Sequence, residues 1–534
     1  MATGLSLLRD HVTLQLRCVD RIFLHAYVPG LQTMYQVIRF LIHRGYSIPS
    51  PAVMGKIGKG FVRSIESYAA DNQIPFVRFS KGQCKENLVA PYLAQARAEG
   101  RHGILMIGVA QEKESVWRGW RNGGSDAHPH FEFKRQNAFI NHYYVYVYDA
   151  QFGPAFLKFS SYAPFSVWVC LNGHEWTKQQ ADQAGLNYSV LDNGFASCDD
   201  PRALQRICDR FGSVAITNFF ERWLHRLPSP FTAEDREAGF CYDLAFRQIE
   251  FSDTRVFDRP ASGRQWFEAT IREHLDLGRP DQVSLVFSRR INRKTPGRFS
   301  TRVVTQGVDP SIQIFYRASK LKQYFKESKA LRTETTINDT RDFGIGRRVS
   351  PENFQALRQV GEAANQRLIE MEGSGCSCAP DPDSLKEVVL PSVEEGSPAP
   401  GLRFGDPRVV ALFAALASFT HIVSGFTNQS LRELVAAHLA KPYSSRQMTY
   451  DLRRLTRKGF IVRIPGTHRY RLTSKGRRLS IFFTKAYVRI VTPALTHLDP
   501  ALPAQVSRHS PIARAWRNLD QALETLIAES GIAA

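Results

Sequence analysis

MTYDLRRLTRKGFIVRIPGTHRYRLTSKG, residues 448–476, is the stretch whose reading decides the architecture of the C-terminal part of the chain. At about 100° per residue on a helix, Met448, Leu452 and Leu455 fall on one side, while Arg446, Tyr450, Arg453 and Arg457 fall in an arc opposite. One face is built to pack and the other to meet an anion. Gly459 ends this helix, and Ile461–Ile464 and Arg469–Leu472 read as two short strands about a Pro465-Gly466 turn. Two further helices precede it. Asp406-Pro407 opens the first, because a carboxylate at the N-cap satisfies free amides and proline costs no hydrogen bond at the first helical position. Thr427 caps the second, Asn428–Leu439, and Ser444 or Ser445 caps the third. The order helix, helix, helix, hairpin predicts a winged helix-turn-helix over 402–495.

The Lys458-Gly459-Phe460 exit and the Tyr470-Arg-Leu-Thr-Ser-Lys-Gly476 close of the hairpin resemble bacterial winged-helix regulators of the MarR and ArsR kind. The resemblance covers a small part of the chain and implies DNA binding. Winged helices also occur in replication proteins and transposases, and some mediate protein contacts only. A helix of this kind fits the major groove, and arginine suits both guanine edges and phosphates. The expected DNA-facing residues are Arg446, Tyr450, Arg453 and Arg457 on the helix, with Arg469 and Arg471 on the wing.

The whole chain is consistent with that partner. Its 534 residues exceed one hydrophobic core, so several domains are expected. With 43% hydrophobic and 11% aromatic residues it is a globular composition, not a disordered one. A net charge of +20 favours a polyanion. No apolar run approaches the ~20 residues that span a bilayer, so no membrane is expected. Residues 1–20 have charges mixed through them and lack the apolar core of a signal peptide, which predicts a cytoplasmic protein. The eight cysteines form no C-x-x-C pair and are read as reduced thiols, with Cys376 and Cys378 the one C-x-C.

Working toward the N-terminus, Gly, Ser, Pro and acidic residues cluster over 373–401, which reads as a flexible linker. The body before it reads as α+β: an N-terminal α/β layer over 1–120, then an α+β region over 121–372 that contains a basic antiparallel sheet at 280–348. Residues 120–140 are polar and Gly-rich and read as a loop, and Ser300–Thr305 reads as one of the sheet's strands. The fold expected is therefore α+β and multidomain: an N-terminal α/β layer, a central antiparallel sheet with helices, and the C-terminal winged helix-turn-helix.

Three places in the body concentrate polar groups. The basic sheet carries roughly half of the +20 net charge and could lie along a phosphate backbone through Lys320, Lys322, Lys326 and Arg332. Alternation puts Arg332, Glu334 and Thr336 on one strand face, and a carboxylate among such cations would be held ionised, able to take a metal ion or a proton. The second place is Tyr144, Tyr146 and Tyr148, which share a face that suits stacking on single-stranded nucleic acid or RNA, or ordinary packing. Asp149, with His174 and Glu175 downstream, makes a possible metal set. The third is the pair of loops Lys81–Glu86 and Gln111–Lys113, which follow strands and could share a cleft.

The Lys320–Lys326 strand followed by Arg332-Thr-Glu334 resembles the strands of rolling-circle replication initiators over a short stretch. Those enzymes carry a His-hydrophobic-His metal pair and a nucleophilic tyrosine, for which this chain offers only His128-Pro-His130. The body as a whole resembles a large group of bacterial proteins, a resemblance that brings no activity with it. The leading expectation is a DNA-binding protein, of a mobile or replicative element. The alternatives are a nuclease that uses Glu334 and Asp149 with Mg²⁺ or Mn²⁺, and a regulator whose body senses a ligand or partner. Ile512, Trp516, Leu519, Leu523 and Leu526 give the helix expected over 511–529 an a/d seam, which predicts a homodimer.

Overall fold

The computed structural model describes residues 10–488 except 81, 126–128, 276–281, 288–307, 377–381, 395–396, 404–405 and 419–420, together with 518 and 521–522. The strand expected at Ser300–Thr305, His128, Cys378 and the helical seam at 511–529 lie outside these residues or almost wholly so. The chain divides into two compact units, one from residues 8–264 and 283–366 and the other chiefly from residue 367 onward. Both α-helix and β-strand are abundant, and the body is built on one large mixed sheet.

In chain order the first unit contains β1 (Val12–Tyr27), α1 (Met34–His43), α2 (Pro51–Asp71), β2 (Phe76–Arg78), α3 (Lys85–Ala98), β3 (Gly103–Gly124), β4 (Pro129–Asp149), β5 (Gly153–Ser160) and β6 (Val167–Asn172). There follow α4 (Gly173–Gln183), the hairpin β7 (Tyr188–Leu191) and β8 (Gly194–Cys198), α5 (Pro201–Arg210), α6 (Ser213–Arg226), α7 (Ala233–Glu237) and β9 (Asp243–Phe257), after which α8 (Pro260–Leu275) groups from residue 265 on with the second unit. Then come β10 (Gln282–Phe287), β11 (Val308–Tyr316), β12 (Ser319–Lys326), β13 (Ala330–Ile337) and α9 (Pro351–Cys376), which passes into the second unit at residue 367. Eleven strands form one sheet in the order β10-β11-β12-β13-β9-β1-β6-β5-β4-β3-β2. β2 and β3 pair in parallel, and every pairing from β11 across to β3 is antiparallel.

This topology corrects the division expected at residue 120. β1 lies between β9 and β6, near the middle of the sheet, so the first 120 residues are no separate α/β layer and the basic strands are one end of the same sheet. The sixteen residues of β1 are paired on both edges, with β9 and with β6. The loop expected at 120–140 is also corrected. β3 and β4 are the arms of a long hairpin in which Val116, Trp117 and Phe133 are buried, and the Trp117 indole donates to Leu31 O at 2.9 Å. Polar residues on the outer face had masked the apolar alternation.

One face of the sheet carries Ile22, Leu24, Val145, Leu157, Val167 and Val169, and buries them with Phe40, Phe61 and Phe219 of the helices. The opposite face is polar and aromatic, with Tyr144, Lys158, Trp168 and His25 adjacent across β4, β5, β6 and β1. The register of β1 against β9 shifts between Val19 and Ile22, so Asp20 and Arg21 together oppose Glu250. This bulge lets both charged residues leave the apolar face that Val19 and Ile22 keep.

The second unit contains α10 (Pro382–Val389), the hairpin β14 (Ser392–Glu394) and β15 (Ser397–Ala399), α11 (Pro407–Leu416), α12 (Asn428–Leu439), α13 (Ser445–Arg457), the hairpin β16 (Ile461–Arg463) and β17 (Tyr470–Leu472), and α14 (Ser474–Ala486). The expected caps are present. Asp406 accepts from Arg408 N, and Thr427 and Ser444 close capping boxes. Gly425 is required by its surroundings as well as by its φ of +70°, since a Cβ there would stand 2.2 Å from Tyr470 O. The flexible linker expected over 373–401 is corrected: α9 runs to Cys376, and 382–399 holds a helix and a hairpin. Val388 and Leu402 join the core of Leu412, Leu431, Leu452 and Leu455, while Lys458 Nζ donates to Glu387 O at 2.7 Å and Leu390 O at 2.9 Å. No helix among the described residues is long and apolar enough to cross a membrane.

Candidate nucleic-acid interface and buried polar network

α13 is held from beneath and bare above. Met448, Leu452 and Leu455 are buried, as is Asp451, which accepts from Arg408 Nη2 at 2.9 Å and from the Tyr443 hydroxyl. On the other side Arg446, Arg453 and Arg457 are exposed and Tyr450 is 48% exposed. A cleft of about 530 Å³ separates α13 from the β16–β17 hairpin and is lined by Arg453, Arg457, Arg463 and His468.

Not every arginine expected at this surface is available to it. Arg469 Nε donates to Ser424 O at 2.8 Å and its Nη2 to Gly425 O at 3.0 Å, so its guanidinium braces the turn before α12. Arg471 is exposed but borders a small hollow shared with Arg367 and Arg477, apart from the cleft. Arg457 lends Nη1 to Pro398 O at 2.9 Å, and Arg454 turns back to the carbonyls of Pro400 and Gly401.

In the body, the structure does not bring the expected catalytic pair together. Asp149 is buried, accepting from Arg222 Nη2 at 2.9 Å, from the Trp223 indole at 2.8 Å and from the backbone amides of Gln151 and Phe152. It fastens the β4–β5 turn to α6. The metal set with His174 and Glu175 does not form, because Glu175 pairs with Arg97 and Lys178 and His174 faces Ser252 and Arg332. Among the described residues no three His, Cys, Asp or Glu side chains converge on a possible metal position.

Glu334 belongs to a different network. Arg332 is 1% exposed, with Nη1 3.6 Å from Asp20 and 3.7 Å from Glu334, Nε on Thr254 Oγ1 at 3.0 Å and Nη2 2.7 Å from His174 Nε2. The Tyr324 hydroxyl donates to Glu334 at 2.8 Å. Burial pushes the Glu334 carboxyl above its usual value, and the neighbouring Asp20 adds to that over the opposing pull of Arg332. Burial thus outweighs the cations that alternation put beside Glu334, whose side chain keeps only 13% of its exposure. Burial also works against ionised Asp20, but His174, Arg332 and the Asn193 amide outweigh it and hold that carboxyl low. Arg332 is out of reach of a phosphate backbone.

Lys322 is half-buried over the Tyr324 ring at 3.9 Å, and Lys326 lies 3.6 Å from Glu327 and 3.9 Å from Asp192. Lys320 is half-buried on the same strand face. Asp20, which completes this network, escaped sequence reasoning; its one signal was a carboxylate inside an otherwise alternating strand.

Of the two loops expected at Lys81–Glu86 and Gln111–Lys113, the second lies within β3 and the end of the first opens α3, and these elements meet through Lys85 and Glu112. Lys85 Nζ lies 2.6 Å from Glu112, which also accepts from the Tyr144 hydroxyl at 2.5 Å and Lys158 at 3.1 Å. Burial opposes its charge, but these three partners bring the Glu112 carboxyl down to about 2. Lys85 covers the Tyr144 ring at 3.7 Å, and Tyr144 and Tyr148 are buried, so these tyrosines form no open platform for bases. The chain matches no protein-family model, no curated protein and no solved structure.

Proposed function

We propose that the chain binds duplex DNA through its C-terminal unit, with α11, α12 and α13 and the β16–β17 hairpin acting as a winged helix-turn-helix and α13 as the helix that enters the major groove. The observation that carries this reading is the surface of α13. Three exposed arginines and a half-exposed tyrosine stand on the side opposite its buried apolar residues, beside a cleft edged by Arg463 and His468 of the hairpin. Arg446 and Arg453 are the guanidinium groups best placed for base edges or phosphates, and the +20 charge of the chain supplies long-range attraction. The half-buried lysines of β12 are a weaker, secondary contact for nucleic acid.

Fluorescence anisotropy of the full chain on labelled duplex DNA over a salt series tests this. Replacing Arg446 and Arg453 with Ala should weaken binding by roughly tenfold or more and make the salt slope shallower by about one for each phosphate no longer neutralised. Affinity and slope that match the parent chain would remove α13 from the interface.

A further inference from the structure

A cavity of about 280 Å³ lies between α3 and the polar face of the sheet. Its helix wall includes Val89 and Leu93, and its sheet wall includes Tyr146, Phe156 and Cys170. Two charged side chains border this apolar interior, Arg21 from the bulge of β1 and Glu86 from the first turn of α3. Both are exposed, and they come from opposite walls.

The guanidinium of Arg21 makes no hydrogen bond or ion pair with any described residue. Asp20 beside it is already engaged by Arg332 at 3.6 Å and by the Asn193 amide at 2.6 Å. The thiol of Cys170 registers both charges. Burial pushes it up to about 12, with Arg21 pulling downward and Glu250 and Glu86 pushing further up.

These features restrict the ligand. The volume is just under the roughly 300–1,000 Å³ of pockets for drug-sized molecules, so a single ring or short branched chain is the appropriate size. An apolar wall rewards an apolar side chain, while a plain carboxylate would face Glu86 and a plain amine would face Arg21. We propose that this cavity binds a small zwitterion with an apolar side chain, of the class of free phenylalanine or leucine, its carboxylate on Arg21, its ammonium toward Glu86 and its side chain against Val89, Leu93, Tyr146 and Phe156. This site is independent of the DNA-binding reading.

Isothermal titration calorimetry of the full chain tests it with L-phenylalanine, L-leucine, 3-phenylpropionate, which lacks the ammonium, and phenethylamine, which lacks the carboxylate. The amino acids should bind, and each analogue should bind roughly ten- to a hundredfold more weakly, since it forgoes a charge-assisted hydrogen bond. Arg21→Ala and Glu86→Gln alter exposed side chains and should each weaken L-phenylalanine by a similar factor while leaving the circular dichroism spectrum unchanged. Leu93→Trp should abolish binding by filling the cavity. Absence of heat with both amino acids at millimolar concentration overturns the proposal, as does equal binding of either analogue or unaltered affinity in Arg21→Ala.

Discussion

At the scale of single residues, the strongest constraint in the body is Arg332, a guanidinium enclosed with Asp20, Glu334 and His174. Removing one partner of a buried ionic cluster leaves the others without compensation. Arg332→Met should therefore cost about 3–5 kcal/mol, read as a fall in the urea midpoint, and adding Asp20→Asn should return part of it. A cost below about 1 kcal/mol, the range of surface pairs, would mean that the cluster is solvated. Glu112 gives a pH-dependent case. Its carboxyl lies near 2 in the fold, against an ordinary value of 4.5, so its partners contribute stability that is complete above the ordinary value and is lost as pH falls toward 2. The stability gap between the parent chain and Glu112→Gln should accordingly narrow as pH is lowered through that window. A gap that stays constant would show that Lys85, Tyr144 and Lys158 do not favour the ionised form.

At the scale of elements, the segment over 382–402 behaves as part of the C-terminal unit. α10 presents Val388 to the core, Leu402 N bonds to Val388 O at 2.8 Å, and the ammonium of Lys458 at the end of α13 is capped by two backbone carbonyls of the segment. A fragment that begins at residue 402 forgoes these and leaves Lys458 short of acceptors. It should melt well below a fragment that begins at 382, by several kcal/mol in stability once the apolar packing and the buried ammonium are counted. Equal melting temperatures would show that the segment only rests on the surface. The same packing bears on DNA binding, because Arg457 lends one N–H to Pro398 O whereas Arg453 has an open flank on the cleft. Arg453→Ala should weaken duplex binding more than Arg457→Ala does.

At the scale of the whole molecule, two compact units share one strongly basic chain. If duplex binding resides in the second unit, a chain that ends at residue 366 should keep its fold, built on the eleven-stranded sheet, and lose most of its affinity for duplex DNA. A truncated chain that retains the full affinity would move the interface to the body and leave the lysines of β12 as its best candidates. Circular dichroism beside the anisotropy measurement separates a failure to bind from a failure to fold.

The sequence by itself determined the helices, caps and hairpin of the C-terminal unit, because each is encoded by neighbours a few residues apart: Asp406, Thr427 and Ser444 at helix starts, and Met448, Leu452 and Leu455 at helical spacing. It also marked the mixture of helix and strand in the body, and Tyr144, Asp149, Arg332 and Glu334 as places of concentrated chemistry. Only the tertiary structure decided what those residues do. Strand order joined β1 to β9 and β13 across more than two hundred residues of chain, and so put Asp20 beside Arg332 and covered most of Glu334. α6 reached back to enclose Asp149, and α3 placed Lys85 over Tyr144 and Glu86 across from Arg21. The reason is physical. Periodicity reports the face on which a side chain stands, whereas the charge it keeps and the partner it meets depend on which distant element covers that face.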